Sequence, residues 1–240
     1  MTQRHHLGSP NTSAAVMNQR HEPADSLDFF PTPPWGTRAL CAHVLEPTDW
    51  LGKTVWEPAC GRLHMARPLA EYFAEVRASD VHDWGAGAEL RDFLLPEREE
   101  ERPDWIITNP PFVLALEFAE RALSVARLGV ALLVRLSWLT TDERYQFFRR
   151  FPPAIRAPFM GRLPMHKGTC LRGASTATDY VWMVWRLGYS GRGDWVEIPP
   201  DARSRLERWG DYDDDVGPEP AVRRRRTSRR EPASEQQVLL

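Results

Sequence analysis

The chain is 240 residues long, 42% hydrophobic and 27% charged, the proportions of an ordinary soluble globular protein. Its 31 Lys and Arg nearly balance 33 Asp and Glu, and the formal charge of −2 excludes a strongly basic polyanion binder. No apolar run approaches the ~20 residues of a membrane span, and the residues around Arg4, His5, His6 and Arg20 hold no apolar stretch that could serve as a secretory signal.

In chain order, residues 1–26 are polar, without a hydrophobic period, and are expected to form a disordered arm. A folded core is expected over 27–209. Within it, Thr54-Val-Trp56 reads as a short strand ending in Glu57-Pro-Ala-Cys-Gly61, and Met65 to Phe73 has helical spacing. Glu75 to Ser79 reads as a second strand ending at Asp80. Trp105 to Thr108 reads as a third, ending in Asn109-Pro-Pro-Phe112. Leu114 to Arg127 is helical in period. Gly129 to Leu136 is a continuous apolar run, the pattern of a buried parallel strand, and Thr178 to Arg186 is a late strand. Strand and helix in alternation predict an α/β fold with a parallel sheet. Residues 210–240, acidic first and then basic from Arg223 to Arg230, are expected to form a disordered tail. Cys41, Cys60 and Cys170 form neither a zinc pattern nor a disulfide framework, so a reducing, cytoplasmic setting is expected. Lys53 and Lys167 are the only lysines. Arg suits phosphate contacts and base stacking, but genomic base composition explains the bias more simply.

Ligands of such folds bind at the carboxyl ends of the strands, and three unusual segments sit there. Gly61 opens the turn into a helix, where a backbone without Cβ can approach a ligand, and Glu57 can accept from a ribose or an ammonium group. Asp80, at the end of the next strand, has the placement of an acid that grips ribose hydroxyls, although a lone Asp there can equally cap a helix. In Asn109-Pro-Pro-Phe112 the prolines remove two donors and leave carbonyls to accept. Asn109 adds a side-chain carbonyl, so an amino group can donate to it and to Pro110, while Phe112 offers a face to a planar base. A rigid turn with an aromatic anchor is the structural alternative. His64, after the glycine turn, is read as a helix-start residue rather than a catalytic one.

With Asp28-Phe-Phe-Pro-Thr-Pro33 and Asp92-Phe93, these segments resemble, in order, the motifs of S-adenosylmethionine-dependent amino-methyltransferases. The resemblance is strongest to small, phage-type DNA adenine-N6 methyltransferases. It extends through Arg135-Leu-Ser-Trp-Leu139, Pro152-Pro153, Arg162-Leu-Pro164 and Ser175 to Trp185, and covers about Leu27 to Tyr189. It implies a Rossmann-like methyltransferase domain with a mostly parallel seven-stranded sheet and helices on both faces. It implies S-adenosyl-L-methionine as cofactor and no metal. By resemblance, Phe30 and Thr32 pack against the methionine part; Glu57, Pro58 and Gly61 form the cofactor loop; Asp80 takes the ribose; and Asp92 and Phe93 flank the adenine ring. Asn109, Pro110, Pro111 and Phe112 form the catalytic turn. Thr32 could also cap a helix begun by Pro33. One departure is Leu63, at the place of the family's second turn glycine, where its bulk is expected near the methionine part and φ > 0 is penalised.

The implied reaction is methylation of the adenine N6 in DNA by base flipping. Cysteine-based C5 methylation does not fit, because the chain has no Pro-Cys pair. Arg144, Arg149, Arg150, Arg156, Arg162, Lys167 and Arg172, interleaved with aromatic residues, are candidates for phosphate contact. So is the 223–230 block; a helix core with Arg on its wet face is the alternative. The rival functions are RNA or protein-glutamine amino-methylation by the same turn, and a non-catalytic DNA-binding module on the same scaffold.

Overall fold

The computed structural model describes residues 28–95 and 102–215. The expected arm and the 223–230 basic block lie outside them. In chain order the elements are helices α1 (Pro34–His43) and α2 (Pro47–Trp50), strand β1 (Thr54–Glu57), helix α3 (Ala66–Leu69), strands β2 (Glu75–Asp80), β3 (Glu89–Leu90) and β4 (Trp105–Thr108), and helix α4 (Ala115–Val125). Strand β5 (Gly129–Arg135), helix α5 (Asp142–Arg150), strands β6 (Ile155–Pro158), β7 (Tyr180–Arg186) and β8 (Asp194–Trp195), and helix α6 (Ala202–Leu206) complete them. The sheet order is β3-β2-β1-β4-β5-β7-β6-β8. From β3 to β5 all pairings are parallel, and β7 runs antiparallel to both β5 and β6. The sheet has eight strands rather than the expected seven. The two-residue β8 adds to the edge of β6, where Asp194 and Val196 donate to Ala154 and Arg156 carbonyls and cover what would be an open edge.

The strand periodicity of two divides the apolar residues between two cores. Trp105 and Ile107 of β4, Ala131 and Leu133 of β5, and Trp182 and Val184 of β7 face α1, with Trp35 and Leu40. Ile106, Val130, Leu132, Val134, Val181 and Met183 face the other way, against Phe118 and Ala122 of α4 and Phe147 of α5. The helix expected over Met65–Phe73 is only Ala66–Leu69. Pro68 has no N–H to extend it, and turns carry the chain on to Phe73.

The acidic run expected to begin the tail is packed against the body as far as Asp215. Arg38 of α1 is buried and donates to Glu71 at 2.8 Å and to both oxygens of Asp211 at 2.8 and 3.0 Å. Arg172 pairs with Asp215 at 2.7 Å, and Tyr212 is buried. A buried guanidinium needs carboxylate partners, and this run supplies them. The packed body therefore runs past residue 209.

Candidate active site

The order of the sheet reverses at β1, with β2 on one side and β4 on the other. The segments leaving the carboxyl ends of these strands separate there and leave a cleft. Its volume is about 990 Å³, counting the solvent at its mouth. Every residue singled out for catalysis or cofactor binding lines it: Phe30, Thr32, Glu57, Pro58, Gly61, Asp80, Asp92, Phe93 and Asn109 through Phe112.

The Asn109 amide is fixed from one side. Its Nδ2 donates to the Phe30 carbonyl at 2.8 Å and to Thr32 Oγ1 at 3.1 Å. A main-chain carbonyl only accepts, so the NH₂ must face Phe30 and the Oδ1 must face away. That Oδ1 is buried and has no partner. Thr32 is thus a link between Asn109 and the Met165 sulfur, 3.6 Å from its hydroxyl. It does not cap α1, which starts at Pro34 behind an N-cap residue, Pro33, that makes no side-chain cap bond. The Pro111 carbonyl already accepts from Leu114 N–H at 3.0 Å and has one lone pair left, so of the two proline carbonyls that of Pro110 is the better candidate acceptor.

Across the cleft, Glu57 accepts from the Ala66 N–H and so ties the end of β1 to the start of α3. Its other oxygen, Oε2, is buried without a partner. Burial, and then the Asp80 charge, raise its pKa well above the usual carboxylate range. Asp80 accepts from Gly61 N–H at 2.8 Å and from His82 N–H at 3.0 Å, so it shapes the turn at Gly61 directly. Asp92 accepts from Leu94 N–H at 2.9 Å, and Phe93 is buried edge-on against Trp56.

Leu63 has φ of 67°, the one non-glycine residue with positive φ among those described. The turn keeps the glycine backbone despite the leucine, at a cost of about 1–2 kcal/mol. Its side chain is not among the residues lining the cleft.

Three residues in or beside the cleft, Asp28, Phe29 and Arg135, belong to segments that carry the resemblance but had no role assigned from the sequence. Asp28 accepts from Phe112 N–H at 2.6 Å and braces the turn at residues 109–112. Phe29 stacks on Trp84 at 4.2 Å, closing one side over Gly61. Arg135 places its guanidinium 4.1 Å from the Phe112 ring centroid, so a base stacking on that face must displace it. The basic residues after β5 are partly engaged by the protein itself. Arg144 pairs with Glu143, Arg162 with the Thr176 carbonyl and Asp179, and Arg172 with Asp215. Arg149 and Arg150 are exposed on α5, while Phe147 is buried and Tyr145 exposed.

No protein family and no curated protein matches the chain. Solved structures do match. A structure assigned as a class I S-adenosylmethionine-dependent methyltransferase from Listeria monocytogenes superposes with a TM-score of 0.52 at 12% identity, over 72% of this chain and 67% of the other. One assigned as an RNA methyltransferase from Pyrococcus horikoshii does so with a TM-score of 0.51 at 16% identity, over 72% and 95%. The chain has the Rossmann-like methyltransferase fold.

Proposed function

We propose that this protein transfers a methyl group from S-adenosyl-L-methionine to the exocyclic N6 of adenine in DNA. The observation that carries the reading is Asn109 Oδ1, a buried acceptor without a partner, on a proline-rigid corner that lines the cleft. Leaving such a group unpaired costs about 1–3 kcal/mol, and an incoming NH₂ group removes the cost. The residues also suit the cofactor. Glu57 Oε2 is a second unpartnered acceptor and Asp80 a second acid in the same cleft, which matches a ligand with a cationic end and hydroxyl donors.

When bound, the cofactor supplies an electrophilic methyl carbon on a sulfonium. The protein's part is to hold the nucleophile. Asn109 Oδ1 and the Pro110 carbonyl accept the two amino hydrogens, which turns the nitrogen lone pair toward the cleft. Neither group takes up a proton; as the N–C bond forms the S–C bond breaks to leave a neutral thioether, and the proton shed by the methylated nitrogen goes to water, so the corner works by positioning. Phe112 packs against the base once Arg135 has moved aside. Adenine in a duplex cannot reach this depth, so the nucleotide must leave the stack. DNA, rather than RNA or protein, is favoured only by the resemblance of the Asp28–Pro33 and Ser175–Trp185 segments to the DNA enzymes; the bonds of Asp28, Phe30 and Thr32 to the 109–112 turn hold the corner in place.

Asn109→Ala is expected to lower labelled-methyl transfer to duplex DNA by about 10²–10³-fold, while calorimetry shows cofactor affinity within about threefold of wild type. Unchanged transfer would remove Asn109 from the mechanism.

A further inference from the structure

His64 lies just after the cofactor turn, lines the cleft and is 6% exposed. Its Nε2 is 3.1 Å from Asp213 Oδ1, and the other Asp213 oxygen accepts the Cys170 main-chain N–H at 2.9 Å. A carboxylate only accepts, so Nε2 carries the proton of this contact. Burial, the largest influence, lowers the His64 pKa despite Asp213, and Arg67 and Arg62 push the same way, which favours the neutral ring. A neutral ring protonated at Nε2 has its lone pair at Nδ1. Nδ1 is buried and has no partner.

We propose that His64 is a binding residue for the amino-acid end of the cofactor, accepting an N–H of its α-ammonium at Nδ1 in the tautomer that Asp213 sets. The inference rests on the methyltransferase reading. A carboxylate cannot be the partner, because lone pair would face lone pair. An ammonium has three N–H groups and suits the two unpartnered acceptors on this side of the cleft, Glu57 Oε2 and His64 Nδ1. Asp213 is then a positioning residue, which gives the packed acidic run a purpose beyond neutralising Arg38 and Arg172.

The test is calorimetry on the full chain with S-adenosylmethionine and with methylthioadenosine, which lacks the amino-acid end. His64→Gln keeps a polar group for Asp213 and removes the acceptor at the δ position, whereas His64→Asn keeps an acceptor there. Asp213→Asn acts through the tautomer. Its oxygen must stay on the Cys170 N–H, so its NH₂ faces Nε2 and drives the ring proton to Nδ1. We expect His64→Gln and Asp213→Asn to weaken S-adenosylmethionine at least tenfold and methylthioadenosine less than twofold. We expect His64→Asn to stay within threefold of wild type for both ligands. Wild-type affinity for S-adenosylmethionine in His64→Gln and Asp213→Asn, or equal losses for the two ligands, overturns the proposal alone. Wild type that binds neither ligand overturns the methyltransferase reading and this proposal with it.

Discussion

Glu57 shows how one side chain can do two jobs that conflict. As a bridge to Ala66 it shapes the loop, and as a buried acid beside Asp80 it resists ionisation unless a cation pairs with its Oε2. Its folded-state pKa lies above the ordinary value of 4.5, so between those two values the folded chain holds a proton that the unfolded chain has lost. Stability from this group is therefore intact below pH 4.5 and declines as pH rises through the folded value. Glu57→Gln carries no such proton. Thermal melts of the ligand-free protein are expected to show no gain at pH 4 and a gain of about 2–4 °C at pH 8, equivalent to roughly 1 kcal/mol at this size. The same variant is expected to bind cofactor at least tenfold more weakly. A melting difference independent of pH would show that Glu57 is ionised in the ligand-free protein.

At the scale of elements, the site is assembled from loops that pin one another rather than from any single helix or strand. Asp80 at the end of β2 holds Gly61, Asp28 ahead of α1 holds Phe112, and Gly168 N–H donates to the Phe29 carbonyl at 2.9 Å. Gly61 is where this closeness is tightest. It has φ of 51°, and a Cβ there would come within 2.4 Å of the Phe29 ring. Gly61→Ala is expected to cost about 1–2 kcal/mol of stability and, by pushing Phe29 off Trp84, to weaken cofactor binding about tenfold in calorimetry. Normal affinity would mean the Phe29–Trp84 stack is not part of the binding wall. Most of these elements were legible in the sequence, because strand runs such as Gly129–Arg135 and the ends Glu57, Asp80 and Asn109 are local signals. The long-range partners were not. Nothing near Asp28, Asp211 or Asp213 in sequence says that each will find Phe112, Arg38 or His64. Pro68 hid a different lesson, since the apolar spacing around it is helical while its missing N–H cuts the helix to Ala66–Leu69.

At the scale of the whole molecule, the packed acidic run reaches His64 on the cleft, and α5 presents another surface beyond β5. On that surface Arg149 and Arg150 lie exposed on α5 beside Tyr145. Several of the neighbouring arginines are spent on internal carboxylates, so the number available for phosphates is smaller than the sequence count. If DNA docks here, log affinity should fall linearly with log salt, with a slope set by the few phosphates contacted at about −0.9 each. Arg149→Ala combined with Arg150→Ala should flatten that slope by about 2, as followed by fluorescence anisotropy. An unchanged slope would place the contacts elsewhere, the 223–230 block included. The account as a whole turns on where a methyl group ends up. Wild-type protein incubated with labelled S-adenosylmethionine and duplex DNA, followed by digestion to nucleosides and mass spectrometry, is expected to yield labelled N6-methyldeoxyadenosine. Label found only on cytosine, on RNA or on protein, or no label at all, would contradict it.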